Sequence, residues 1–228
     1  MIIGKGLIAK LFTDHDRGDV IFFASGVSNS SETDPAQFTR EENLVAKALL
    51  ENPGKLFIYF STCSIYDSSK TNSAYVLHKL HMEELVKTQA EKFLILRVSN
   101  AVGRGGNPNL LMNYLIRSVK QNATITVHTK ATRNLIDAAD VEKITLQLIE
   151  NQIFNKIINL AYPQNYSVIE ILEILERYYQ KKLDLNLVKA GSGYEISIPD
   201  VEEYFRTNHS GNKDIYLLNM VEKYYTQH

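Results

Sequence analysis

The sequence predicts an α/β domain: a parallel β-sheet covered by helices on both faces, with a small C-terminal α/β lobe. Three observations carry this. Short, wholly apolar runs alternate with segments of helical periodicity, a glycine turn joins the first run to the first helix, and strong breakers punctuate the units. Strands alternating with helices imply parallel neighbours joined by right-handed crossovers.

In chain order, Met1 to Ile3 is a brief strand, and Leu7, Ile8, Leu11 and Phe12 beyond Gly4-Lys5-Gly6 fall at helical spacing. Asp14 to Gly18 is a turn leading into Asp19 to Ala24, a continuous apolar run suited to a strand buried on both faces. Leu44, Val45, Ala48 and Leu49 recur at helical intervals within a helix from about 38 to 51, which Asn52-Pro53-Gly54 stops. Lys55 to Phe60 is a strand, Tyr75 to Glu91 a helix with Leu77, Leu80, Leu85 and Val86 inward, and Phe93 to Val98 a strand. Further on, 124–128 reads as a strand, Asp140 to Glu150 as a helix capped by an aspartate, Lys156 to Leu160 as a strand and Ser167 to Tyr179 as an amphipathic helix.

Composition narrows the function. With 228 residues and 44% apolar content the chain can bury one substantial core, and 25 basic against 26 acidic residues leave no basic field for nucleic acid. The single cysteine, Cys63, excludes an internal disulfide and suits a reducing compartment. No run approaches the roughly 20 apolar residues of a membrane span, and no secretory signal is evident, so a cytoplasmic protein with a small-molecule partner is expected.

Ligands on such sheets bind beyond the carboxyl ends of the strands, where Gly4 to Gly6, Ser25-Gly26 and Ser61 to Ser64 fall. Glycines at a strand-to-helix turn let backbone approach a phosphate, although Gly4-Lys-Gly6-Leu-Ile-Ala9 alone also suits an ordinary turn. Tyr75 and Lys79 lie one helical turn apart, so the ammonium can lower the phenol's pKa from about 10 and prepare it to exchange a proton with a substrate hydroxyl. Tyr66 with Lys70 and Tyr178 with Lys182 share this spacing, but only Tyr75 opens a helix directly after a hydroxyl-bearing strand end, Phe60 to Tyr66.

These residues, in this order, resemble the extended short-chain dehydrogenase/reductases, the NAD-dependent epimerase/dehydratase family of nucleotide-sugar epimerases and ketoreductases. The resemblance implies a Rossmann-like core binding NAD or NADP through Gly4, Gly6, Leu7, Ile8, Ala24, Ser25, Gly26, Lys79, Val98 and Ser99. It makes Thr62, Tyr75 and Lys79 the catalytic residues, Lys79 also holding the nicotinamide ribose, and likens Asn43 to the family's helix asparagine. Leu96 to Gly103 and Thr132 to Val141 resemble the stretches supplying Asn100 and Arg133 to a substrate diphosphate, with Thr62 on the sugar oxygen. The core comprises 1–122 with 130–162, the substrate lobe 123–129 with 163–228, and a homodimer through the helices of 38–51 and 75–91 is implied.

The chain departs from the pattern in three places. Only one helix separates the glycine turn from Asp19 to Ala24, so one or both strands flanking the adenosine side should be missing. The acidic residue expected about 20 positions beyond the turn has no clear counterpart. Asp14, Asp16 and Asp19 read as a solvated turn, and Arg17 could meet a 2′-phosphate. Cys63 and Ser64 stand where dehydratases carry Asp-Glu, which favours 4-epimerase or 4-ketoreductase, and the stretch between Thr62 and Tyr75 is short. No metal site is expected: His78 and His81 lack two-histidine spacing, and Cys63 reads as a packing residue. The rival expectation is a family member that kept the fold as a binding or scaffold protein without turnover.

Overall fold

The computed structural model describes residues 1–108 and 110–226. The first half runs β1 (Ile2–Ile3), α1 (Leu7–Leu11), β2 (Val20–Phe23), α2 (Pro35–Glu51), β3 (Leu56–Thr62), α3 (Ala74–Gln89) and β4 (Lys92–Val98). The second runs β5 (Asn100–Val102), α4 (Leu111–Gln121), β6 (Ile125–His128), β7 (Thr132–Arg133), β8 (Leu135–Asp137), α5 (Ala138–Glu150), β9 (Lys156–Leu160), β10 (Tyr166–Ser167), α6 (Val168–Tyr179), β11 (Leu185–Val188), α7 (Glu202–Asn208) and α8 (Lys213–Tyr225).

Five parallel strands form the central sheet in the order β1-β2-β3-β4-β9, as the alternation of strand and helix requires. The two-residue side-chain period divides each strand between two cores. Phe23, Phe57, Tyr59 and Ile95 meet Val45 and Ala48 of α2 and Met82 and Val86 of α3. Phe22, Ile58, Phe60 and Leu96 meet Phe12, Leu115 of α4 and Val141 and Ile144 of α5 on the opposite face.

The sheet is abbreviated as the sequence implies: β1 pairs with β2 through Ile2↔Phe22 and Ile3↔Phe23 and forms one edge. Gly4 follows at φ 137°, where a Cβ would sit 2.4 Å from the Ala24 carbonyl oxygen. Only glycine permits that turn.

Helix starts are set by short polar side chains accepting from exposed backbone amides. Asp34 caps α2, Ser73 caps α3, and Ser167 with Glu170 forms a capping box on α6. Several ends shift by one to three residues from the sequence reading, as α2 does by starting at Pro35, and one helix start is assigned to a different cap. The fifth helix begins at Ala138 with Asp137 as its cap, whereas Asp140 lies buried inside it and accepts from the Tyr204 and Tyr216 hydroxyls. Small ladders complete the distal side, β6 with β11 in parallel and β7 with β10 antiparallel. Tyr224 and Tyr225 tie α8 inward by hydroxyl bonds to Asp137 and Asn113. Among the described residues no helix is long and apolar enough to cross a membrane.

Candidate active site

A cleft of about 920 Å³ opens beyond the carboxyl ends of the central strands. It collects residues far apart in sequence: Gly6, Leu7, Ile8, Ala24, Gly26, Thr62, Tyr75, Lys79, Val98, Ser99, Asn100 and Arg133 all line it. Of the residues expected there, Gly4 and Ser25 do not. Gly4 supports the turn beneath, and Ser25 lies outside the lining, its carbonyl and hydroxyl accepting from Arg40 at 3.1 and 3.4 Å.

Thr62 ends β3, where its hydroxyl oxygen accepts the Ser64 amide at 3.0 Å and starts a 3₁₀ turn, Cys63–Tyr66. Its hydroxyl proton stays available, because the amide uses only a lone pair. Tyr75 is the second residue of α3, buried against Val27 and Val76, and among the described residues its hydroxyl has no protein partner. Ser99 follows β4 with a buried hydroxyl that has no hydrogen-bond partner either. An unpaired buried donor at a cleft wall, as the Ser99 hydroxyl is, is the kind of group that a bound ligand satisfies.

Lys79 is placed differently from the simple picture of an ammonium facing the cofactor. An ammonium has three N–H donors. Here the acceptors are Glu41 Oε1 at 3.0 Å, the Tyr59 hydroxyl at 2.8 Å and the Phe60 carbonyl at 3.2 Å. Glu41 is fully buried and receives four donors, since the Tyr59 hydroxyl at 2.5 Å, the Val27 amide at 2.6 Å and His78 Nε2 at 3.1 Å join Lys79. Lys79 and these donors hold the Glu41 carboxyl well below the usual carboxylate range, against the burial that would raise it. His78 donates to the carboxylate from Nε2, which fixes that nitrogen as protonated, and stacks on Phe38 at 4.6 Å.

The sequence reading missed this cluster, likening Asn43 to the family asparagine. Asn43 is exposed, and Glu41 is the α2 residue that meets Lys79. A signal existed: Glu41, Val45 and Ala48 are the buried positions of α2, a helical stripe on which a carboxylate requires a partner. Gly26 belongs to the same arrangement, because a Cβ there would lie 2.7 Å from Lys79 Nζ and 2.8 Å from Glu41 Oε1.

Cys63 is buried, with its thiol pushed up by desolvation and donating to the Arg97 carbonyl at 3.0 Å. Of the turn candidates for the adenine ribose, Arg17 pairs with Asp19 at 2.8 Å and Asp16 with the N-terminal ammonium at 2.7 Å, and neither Asp14 nor these three lines the cleft.

A model of the family described as "NAD dependent epimerase/dehydratase family" matches residues 2–161. The chain belongs to that family. Solved structures share the fold. UDP-glucuronic acid 4-epimerase from Bacillus cereus, in complex with UDP-glucuronic acid and NAD, is 20% identical with a TM-score of 0.73, covering 97% of this chain and 77% of that one. RMD from Pseudomonas aeruginosa complexed with NADPH is 18% identical with a TM-score of 0.73, covering 90% and 80%. UDP-N-acetylglucosamine 4-epimerase from Methanobrevibacter ruminantium M1 is 16% identical with a TM-score of 0.71, covering 98% and 81%.

The cofactor class of this epimerase/dehydratase family is a nicotinamide dinucleotide. The cleft fits its nicotinamide and pyrophosphate portions: backbone at Gly6 has nothing within 4 Å of the Cβ position, and the Ser99 hydroxyl awaits a partner. Among the described residues the abbreviated sheet ends at the free edge of β1.

Proposed function

We propose that this chain is an NAD(P)-dependent nucleotide-sugar 4-epimerase or 4-ketoreductase, with Tyr75 as its acid/base. The observation that carries the reading is the Tyr75 hydroxyl, unpartnered among the described residues, lining one cleft with Thr62, Ser99, Asn100 and Arg133. The chemistry supplied by a bound nicotinamide dinucleotide is reversible hydride exchange with the sugar carbon. Tyr75 takes the hydroxyl proton of that carbon or returns it, while the Thr62 hydroxyl donates to the same oxygen and orients it. Lys79 supports Tyr75 as the cationic half of the Glu41 pair, a fixed charge rather than a mobile side chain. Asn100 keeps one amide proton on the Asn134 carbonyl at 2.7 Å and has a second for a phosphate oxygen, and the Arg133 guanidinium spends one donor on the Thr132 carbonyl.

Elimination of water would need an acid and a base beside Thr62. Cys63, with its raised and committed thiol, and Ser64 supply neither, so hydride and proton exchange alone suit the site. A homodimer through α2 and α3 belongs to the same reading, since Leu50 is 83% exposed and Leu77, expected from the sequence to face inward, is 53% exposed on those helices.

The test is a thermal-shift panel with both nicotinamide dinucleotides and UDP- and dTDP-linked sugars, followed by turnover of Tyr75→Phe. One cofactor should raise Tm by mass action. The variant should keep that rise and lose about a hundredfold or more in kcat, the scale of general acid–base catalysis. Absence of any cofactor shift, or full turnover in the variant, refutes the reading and favours a non-catalytic protein.

A further inference from the structure

The turn between the 3₁₀ turn and α3 is short, yet it carries Lys70, which reaches across the cleft mouth to the Ser30 hydroxyl at 2.9 Å. Ser30 belongs to the loop after β2, which itself lines the cleft from Val27 to Ser31. Lys70 therefore bridges two walls of the cleft, half-buried, with one of its three donors spent on a neutral hydroxyl. Across the same space lies Arg133 of β7, with Tyr194 beside it in the lining. Neither Lys70 nor Arg133 forms an ion pair among the described residues.

The charge inventory is lopsided. Lys5, Lys10, Lys70, Lys79 and Arg133 line the cleft against one carboxylate, Asp67, in a chain whose net charge is −1. Glu41 neutralises Lys79, whereas Asp67 turns one oxygen to the Ser69 amide and hydroxyl at 3.0 and 2.6 Å. Burial pushes the Lys70 ammonium below its ordinary value, Asp67 opposes this, and the charge of Arg133 adds to it. Burial likewise pushes the Tyr194 phenol up to about 12 despite Arg133, so Tyr194 remains a neutral donor. Two part-buried cations and a phenol, brought together from three separate chain segments, form an arrangement that an oxyanion would stabilise.

We propose that Lys70 is an anion-binding residue of this cleft, acting with Arg133 on an oxyanion group of the bound sugar nucleotide. This rests on the nucleotide-sugar reading above. It adds a residue on the turn that joins Thr62 to Tyr75, and so sets how the ligand's charge is held beside the reacting carbon. The oxyanion is either the diphosphate or a carboxylate on the sugar, and the ligands below separate the two.

The experiment measures binding of sodium pyrophosphate, UDP-glucose and UDP-glucuronic acid by calorimetry to the full chain, to Lys70→Met, Lys70→Arg and Ser30→Ala. Loss of a charge-assisted bond in a half-buried site should weaken binding by about ten- to a hundredfold. If Lys70→Met weakens pyrophosphate and UDP-glucose together, the anion is the diphosphate. If only UDP-glucuronic acid weakens, it is the sugar carboxylate. In either case Lys70→Arg should recover most of the affinity, and Ser30→Ala should stay within about threefold of the parent, because the charge remains. The proposal is overturned if Lys70→Met binds all three ligands as the parent does, if Ser30→Ala loses as much as Lys70→Met, which would make the lysine a loop brace, or if no ligand binds the parent chain. Lysine-dependent binding of pyrophosphate without binding of either sugar nucleotide would uphold the anion site and refute the nucleotide-sugar reading instead.

Discussion

Glu41→Gln is the perturbation that examines the buried cluster most directly. The amide keeps the shape of the carboxylate, but four donors converge on this side chain: Lys79, Tyr59, the Val27 amide and His78. Either orientation of the amide therefore turns an NH2 group towards donors, and Lys79, 2% exposed, is left charged without its counter-ion. Breaking a buried pair from one side costs about 3–5 kcal/mol, a large part of the roughly 5–15 kcal/mol that holds a domain folded. For a chain of this size that is a fall of about 6–20 °C in Tm. Urea denaturation of both proteins at pH 7 measures it, and a loss below about 1 kcal/mol would refute the argument. The sign with pH also follows. The folded carboxyl is held well below its unfolded value of 4.5, so the parent's advantage is complete above that value. It declines as pH falls further, because the unfolded chain takes up the proton first. Repeating the denaturation at pH 3 should narrow the gap between parent and variant. In a double-mutant cycle, Glu41→Leu with Lys79→Met should cost less than the sum of the singles by about 0.5–3 kcal/mol.

Two further outcomes are expected. Cys63, fully buried with its thiol raised and bound to the Arg97 carbonyl, should resist iodoacetamide in the folded protein and react only on unfolding, so alkylation as fast as that of a free thiol would contradict its placement. If α2 and α3 form the dimer face, Leu77→Glu should convert a dimer to a monomer in light scattering without lowering Tm, since Leu77 packs against little within its own chain.

Much of the fold was legible because its signals are local. Residues 20–23, 56–60 and 93–96 are apolar in unbroken runs, as strands buried on both faces require, and helical periodicity marks 38–51 and 75–91. The irregular ladders after β4 gave no comparable signal, whereas α4 went unread although Met112, Leu115, Ile116 and Val119 recur at helical spacing. β5, β7, β8 and β10 span only two or three residues and acquire meaning from partners such as Asn100↔Leu135 and Tyr166↔Arg133.

The sequence by itself determined the parallel sheet, its abbreviated edge and the order of the motifs around Thr62, Tyr75, Asn100 and Arg133. Only the tertiary structure decided which charges meet. Glu41 was one acidic residue among many until the packing of α2 on α3 set it 3.0 Å from Lys79, and Lys70 was a loop lysine until the short turn brought it to Ser30. The physical reason is one of range. Periodicity and capping act over a few residues, whereas desolvation and ion pairing depend on which surfaces are pressed together, here across 38 and 40 positions of chain.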